Sequence, residues 1–317
     1  MNWVLYLAKH DFSRLRARVA LLLCALAFTH QAFAWSNITI LTTNDTPAVN
    51  EFIKQLKLEI NEQSGIKINL SKSDSGLSIN IPKDTLVIAV GTQALTYAGN
   101  LDESTPVIGV LVPKFSYESI LKESNRNPEH FSAIYLDQPF SRQLALIKAI
   151  FPNLYSIGVL LGPVSQFQSN DLQSAAKLWN IDVIIRLVNK ADELQFNLEK
   201  LMQTKRLLLA IPDPTIYTRE TAQTILLTTY RHQVPVIGFS QSYAKSGAIA
   251  AVFSSPKQYA SEIANMIKQL PKDQVVLPSA RAARKFSIEI NRQVARSLDI
   301  QIADDAVIYQ QILKDER

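Results

Sequence analysis

The 317 residues contain one cysteine, Cys24, and it lies in the N-terminal leader. Once the leader is removed no thiol remains, which excludes disulfides, cysteine nucleophiles and cysteine-based metal sites. Stability must then come from packing. Histidine is also scarce: of four, only His130 and His232 lie beyond the leader, far apart in the chain. There is no Glu-x-x-His or His-x-x-x-His pair, so no catalytic metal and no cofactor is expected. Nine glycines in all form neither a Gly-x-Gly-x-x-Gly loop, nor a Walker loop, nor a Gly-x-Ser-x-Gly elbow. Tyr230-Arg-His232 reads as the polar end of a helix, where cations suit the dipole, rather than as acid–base machinery. An enzyme is therefore not expected. Blocks of lysine and arginine are missing too, which argues against nucleic acid as a partner. The full-length charge is +5, of which the leader supplies +3 through Lys9, Arg14, Arg16 and Arg18 against Asp11; the rest of the chain is near +2.

The leader has the order of a secretory signal. Basic residues precede the apolar run Val19–Phe28, and Ala32-Phe-Ala34 supplies a small-x-small cleavage site. That run is about half the roughly 20 residues needed to span a bilayer. Cleavage after Ala34 and a periplasmic location are expected, with no membrane insertion afterwards. Leu21-Leu-Leu-Cys24 is a poor lipoprotein box, because leucine directly precedes the cysteine.

Beyond residue 34, short β-branched runs alternate with longer amphipathic segments. Strands are expected at Ile38–Leu41, Ile66–Leu70, Thr85–Val90 and Pro106–Val112, with a helix at Ala48–Asn61. The pattern then restarts. Asp137 is read as the N-cap of a helix through Ile150 with Pro139 in its first turn. Strands follow at Ser156–Leu161, Asp182–Val188, Arg206–Ile211, Val234–Phe239 and Ala248–Phe253, with helices at Asn170–Trp179, Thr218–His232 and Lys257–Leu270. Phe286–Ile290 and Asn291–Ser297 close the chain as a strand and a helix. Continuously apolar strands separated by helices argue for parallel sheets covered on both faces. The expected fold class is α/β, with two Rossmann-like lobes. The expected division is 35–133 plus 257–289 in lobe one, 134–256 in lobe two, and 290–317 as a segment near the hinge. Open parallel sheets bind ligands at the carboxyl ends of their strands.

Three stretches resemble the ABC-transporter substrate-binding proteins related to tryptophan/tyrosine-type receptors. They are Ile211-Pro-Asp-Pro-Thr215, then Val234–Ser240 with Lys245–Val252, and then Phe286–Leu298. Val87–Gln93 and Pro106–Val112 are weaker likenesses in the first half. The resemblance implies a type I periplasmic-binding-protein fold that closes on a small-molecule ligand, an amino acid or aromatic compound among the candidates, and delivers it to an ABC permease. A monomer is expected. The alternative is a sensory or accessory binding protein that presents its ligand state to a sensor kinase or an outer-membrane receptor system.

The resemblance also places candidate ligand contacts. Asp213 follows a lobe-two strand, where it either holds an amino group or acts as a turn former beside Pro214. Ser240, Gln241, Ser242 and Tyr243 occupy the inter-lobe loop, with groups suited to orienting and covering a ligand. Ser165 and Gln166 stand where the family places carboxylate-binding groups. Gly91, Thr92 and Gln93 open a helix, either to bind an anion or simply to make a tight turn. The chain departs from the family at Pro113-Lys-Phe-Ser116, at Asn125–Phe131 and in the short loop Gly162–Ser165, which points to an altered ligand or a lost transport role.

Overall fold

The structure, a computed structural model, describes residues 35, 37–60, 66–72, 81–82, 84–203, 207–270 and 276–316. The signal peptide expected over 1–34 lies outside the described residues.

The first sheet is built from β1 (Asn37–Thr42), β2 (Lys67–Lys72), β3 (Thr85–Val90), β4 (Val107–Val112) and β5 (Phe131–Tyr135). A late strand, β11 (Arg281–Ala282), joins its edge to give the order β11-β5-β4-β3-β1-β2, all parallel. All six residues of β3 are buried, as expected of a strand covered on both faces. Helices α1 (Pro47–Glu59), α2 (Thr92–Gly99) and α3 (Lys114–Ser124) cover it. The α1 helix starts where Thr46 accepts a hydrogen bond from the Val49 N–H and Pro47 occupies the first turn.

The second sheet takes β6 (Ser156–Leu161), β7 (Asp182–Leu187), β8 (Leu207–Leu209), β9 (Val236–Gly238), β10 (Ala250–Phe253) and β12 (Ser287–Ile290). Its order is β12-β10-β9-β8-β6-β7, with β12 antiparallel to β10. Its helices are α4 (Phe140–Ile150), α5 (Ser169–Leu178), α6 (Leu194–Met202), α7 (Arg219–Arg231) and α8 (Gln241–Ser246).

The chain passes between the sheets three times: after β5, after β10 and after β11. The second passage leads into α9 (Pro256–Gln269), which opens with a capping box between Ser255 and Gln258. Its buried face, Tyr259, Ala260, Ile263 and Ile267, packs into the first core with Phe52, Ile53 and Leu56 of α1. The third passage leads to β12, α10 (Arg292–Ser297) and α11 (Asp305–Asp315), whose Ile308 and Ile312 enter the second core with Leu144 and Ile147 of α4.

Three expectations need correction. The join near residue 133 falls inside β5, so Ile134 and Tyr135 belong to the first sheet. Residues 287–289, expected in lobe one, pair with β10 in the second sheet; 290–316 follow onto that sheet's core, and Glu316 reaches Arg142 beside the crossings. Asp137 does not cap α4: Pro139 holds the N-cap position with no side-chain bond, and the Asp137 carboxylate turns to the Lys114 N–H at 2.6 Å. A proline-led start needs no side-chain acceptor at its own missing N–H.

Candidate ligand-binding site

The carboxyl ends of the central strands of both sheets converge on a cavity of about 210 Å³ between the lobes. The first sheet contributes Pro113 after β4 and Leu136, Asp137 and Gln138 after β5. The second contributes Ile211 and Pro212 after β8, Phe239 and Ser240 after β9, and Val252, Phe253 and Ser254 at the end of β10. Phe140 and Gln143 of α4 and Gln168 complete the wall. This is where open α/β sheets bind ligands.

The floor is the hinge. Gln138, in the first crossing, donates through Nε2 to Ser254 Oγ in the second at 2.9 Å. Ser254 Oγ donates in turn to the Lys285 carbonyl in the third at 2.7 Å. Arg142, buried behind Gln138, donates to Gln138 Oε1 at 2.6 Å, the Ala283 carbonyl at 3.0 Å and Glu316 Oε1 at 2.6 Å. Its guanidinium also lies over the Phe286 ring, 4.3 Å from the centroid. All three crossings are thus tied together beneath the cavity.

Next to Pro113 and Gln168 of the wall, side chains from the two lobes meet. Phe115 of α3 stacks on Phe167 with ring centroids 5.3 Å apart and planes 10° from parallel. Beside it, Lys114 Nζ lies 3.4 Å from Asp171 of α5. Just before α3, β4 carries a bulge between Val110 and Val112, where Leu111 takes a left-handed φ of 55°. Such a conformation is uncommon for a branched residue and clusters near functional sites.

Among the described residues Asp137 is the one charged residue on the wall. Burial raises its carboxyl above the usual range, opposed by the Lys114 backbone N–H and ammonium group. Gln143 is 8% exposed; its Nε2 donates to the Gln138 carbonyl at 2.9 Å, and its Oε1 has no hydrogen-bond partner among the described residues.

Of the residues singled out in the sequence, only Ser240 lines this cavity. Asp213 is 2% exposed and fully engaged: Oδ2 accepts from the Val164 N–H, the Ser165 N–H and Ser165 Oγ at 3.0, 2.8 and 2.9 Å, and Oδ1 from the Thr215 N–H at 2.9 Å. It clamps the β6–α5 loop to the β8–α7 loop and has nothing to offer a ligand amine. Ser165 is fully buried in the same clamp and accepts from the Gly162 N–H. A Cβ at Gly162 would sit 2.5–2.7 Å from the Asp213 carboxylate, so glycine is required there by space. Gln166 lies at the rim and bonds the Pro163 carbonyl. Tyr243 is 6% exposed and packs inward, its ring 5.1 Å from Phe239 and 5.8 Å from Tyr217. It backs Phe239, which does face the cavity, and burial pushes its phenol well above the usual range.

Ser240 Oγ also caps α8 by accepting from the Tyr243 N–H, and Ser242 Oγ lies 3.1 Å from it. Gln241 reaches Glu289. Gly91 takes a φ of 89° at the start of α2, with open space around its missing Cβ, so the turn conformation selects glycine there. Thr92 and Gln93 are exposed and line no part of the cavity.

Sequence reasoning missed Asp137 as a wall residue because β5 went unrecognised. With Phe131–Tyr135 placed as a strand, the polar pair Asp137-Gln138 directly after it would have stood at a carboxyl strand end. Among the described residues no group of histidine, aspartate and glutamate could hold a metal ion, and no helix is long and apolar enough to cross a membrane.

Similar two-lobed architectures occur in solved structures. A conserved domain protein from Vibrio cholerae superposes with a TM-score of 0.61 at 17% identity, covering 86% of this chain and 97% of that one. The ABC domain in complex with L-Trp from Streptococcus pneumonia gives 0.59 at 18% identity, covering 88% and 98%. The ligand-free, open CD0873, a substrate binding protein with adhesive properties from Clostridium difficile, gives 0.65 at 14% identity, covering 85% and 96%. At these identities the likeness is one of fold. No curated protein sequence matches the chain. The model of the ABC transporter substrate binding proteins matches residues 48–312. With the strand ends, the three crossings and the cavity between the lobes, that match places the chain in the ABC transporter substrate-binding protein family.

Proposed function

We propose that this protein is a periplasmic receptor that captures a small molecule between its lobes and presents the closed form to an ABC permease. The observation that carries the reading is the cavity at the facing strand ends, floored by the crossings, with the lobes in contact nearby through Phe115–Phe167 and Lys114–Asp171. Lobe closure on a ligand is a hinge motion in which a few crossing segments absorb the change. Family membership supports solute binding; the ligand, the permease and the monomeric state are part of the proposal. Export with removal of residues 1–34 also belongs to it, and the exported protein is expected to begin at Trp35.

The test is a thermal-shift screen of the exported protein with amino acids, amines, sugars and small aromatic compounds. A true ligand at about one hundred times its Kd stabilises the folded state by about 2.7 kcal/mol. Small-angle scattering with that ligand is expected to show no expansion of the two-lobed shape. A screen without any hit would overturn the receptor reading.

A further inference from the structure

We propose that the cavity is built for a protonated amine on an apolar body that carries no carboxylate. The inference rests on the receptor reading above and narrows it to a ligand class.

Charge decides the class. Asp137 is the only charged residue on the wall, and among the described residues no lysine, arginine or histidine lines the cavity. Two nearby cations, Arg142 and Lys114, stand off the wall, and each already faces carboxylates of the protein. Arg142 donates to Glu316, Gln138 and Ala283. Lys114 Nζ lies 3.4 Å from Asp171 and 3.8 Å from Glu118. A ligand carboxylate would therefore enter beside a part-buried like charge with no cation freed to pair with it, which is strongly unfavourable away from water. An ammonium group is complementary to the same surroundings. It pairs with Asp137, and Gln143 adds an acceptor, because its Nε2 is held by the Gln138 carbonyl and its Oε1 lacks a partner. The rest of the wall suits an apolar body. Phe140, Phe239 and Phe253 present aromatic surface, which also favours a cation over a ring face.

Protonation gives an independent readout. An amine needs Asp137 ionised, so its affinity falls as pH drops through the carboxyl's titration. Burial raises that titration above the ordinary carboxylate range, so the loss begins at a higher pH than for an exposed aspartate. The groups facing Asp137 are Lys114 from α3, Tyr135 at the end of β5 and Tyr259 from α9; neither tyrosine ionises in the acidic range.

The experiment compares matched probes on one apolar body by calorimetry with the exported protein: tryptamine, L-tryptophan, indole-3-propionate and the neutral alcohol tryptophol, with the phenethylamine set beside them. Tryptamine or phenethylamine is expected to bind, the corresponding amino acid on the order of 30-fold more weakly, and the acid not at all. Asp137→Asn is expected to weaken the amine by a similar factor, to abolish its pH dependence and to weaken tryptophol by a much smaller factor. The Asn Oδ1 can still accept from the Lys114 N–H, which protects the fold. Gln143→Leu is expected to weaken the amine while leaving the pH dependence in place. An amino acid or acid that binds as tightly as the amine overturns the ligand class and leaves the receptor reading standing. Silence from every matched probe also overturns it; only silence across the wider screen removes the receptor reading as well.

Discussion

At the scale of single residues, burial decides what a polar group is for. Asp213 looks like a ligand group in the sequence because it follows a strand, yet its oxygens are taken by four protein donors. Asp213→Ala leaves buried N–H groups without an acceptor and is expected to lower unfolding free energy by about 3 kcal/mol in urea titration. Gly162→Ala forces a methyl against the same carboxylate and is expected to cost about 1–3 kcal/mol. Because the two share one contact, the double variant Gly162→Ala with Asp213→Ala is expected to be more stable than the sum of the single effects allows. Additive losses would mean that the contact does not exist. Tyr243 makes the opposite case. Its hydroxyl has no partner among the described residues, so Tyr243→Phe is expected to be neutral or stabilising by up to about 1 kcal/mol, with ligand affinity unchanged. A marked loss of affinity would return the hydroxyl to the site.

At the scale of elements, helices α3 and α5 with the segment before α5 bring the lobes into contact. Phe167 is 66% exposed despite its stack on Phe115, so it adds little to the folding of its own lobe. A stacked pair contributes about 0.5–1.5 kcal/mol beyond its buried area. Phe167→Ala is therefore expected to raise the ligand off-rate several-fold in stopped-flow measurements while the melting temperature of the unliganded protein stays within a degree or two. The neighbouring Lys114–Asp171 pair is exposed on both sides and contributes no more than about 1 kcal/mol, less in high salt. A fall in melting temperature without a change in off-rate would assign Phe167 to the core instead. The α2 turn at Gly91, Thr92 and Gln93 shows that a helix start after a parallel strand is not enough to make a site; the strand must also end where the opposite lobe reaches it.

At the scale of the molecule, three crossings make the hinge, and the C-terminal helix is fastened to it. Arg142 and Glu316 are 7% and 20% exposed and 2.6 Å apart, and the same guanidinium holds Gln138 on the cavity wall. Glu316→Ala removes one partner of a largely buried pair and is expected to lower unfolding free energy by up to about 3 kcal/mol. Since Arg142 keeps its bonds to Gln138 and Ala283, ligand affinity is expected to change less than stability. A larger effect on affinity than on stability would make the C-terminal helix part of the binding machinery.

The sequence by itself determined the class of the fold. Continuously apolar strands such as Thr85–Val90, helix faces such as that of α9 and capping residues such as Thr218 and Ser255 act over a few positions, so their periodicity is legible locally. It also carried the family motifs, because those lie on the strand ends that every member must bring together. What it did not carry was the site. Phe131–Tyr135 sits between a proline-containing loop and a polar pair, and only its burial beside β4 identifies it as a strand. The same strand end turns Asp137 from a helix cap into the charged group of the cavity. Whether Asp213 and Ser165 face a ligand or each other depends on a contact between loops 48 residues apart in the chain, and Tyr243 turns inward because its ring packs on Tyr217 and Phe239. A strand's apolar pattern is set by neighbours two positions away. A site is set by residues that meet only after both sheets have formed and the chain has crossed between them three times, and only the tertiary structure could decide which of them do.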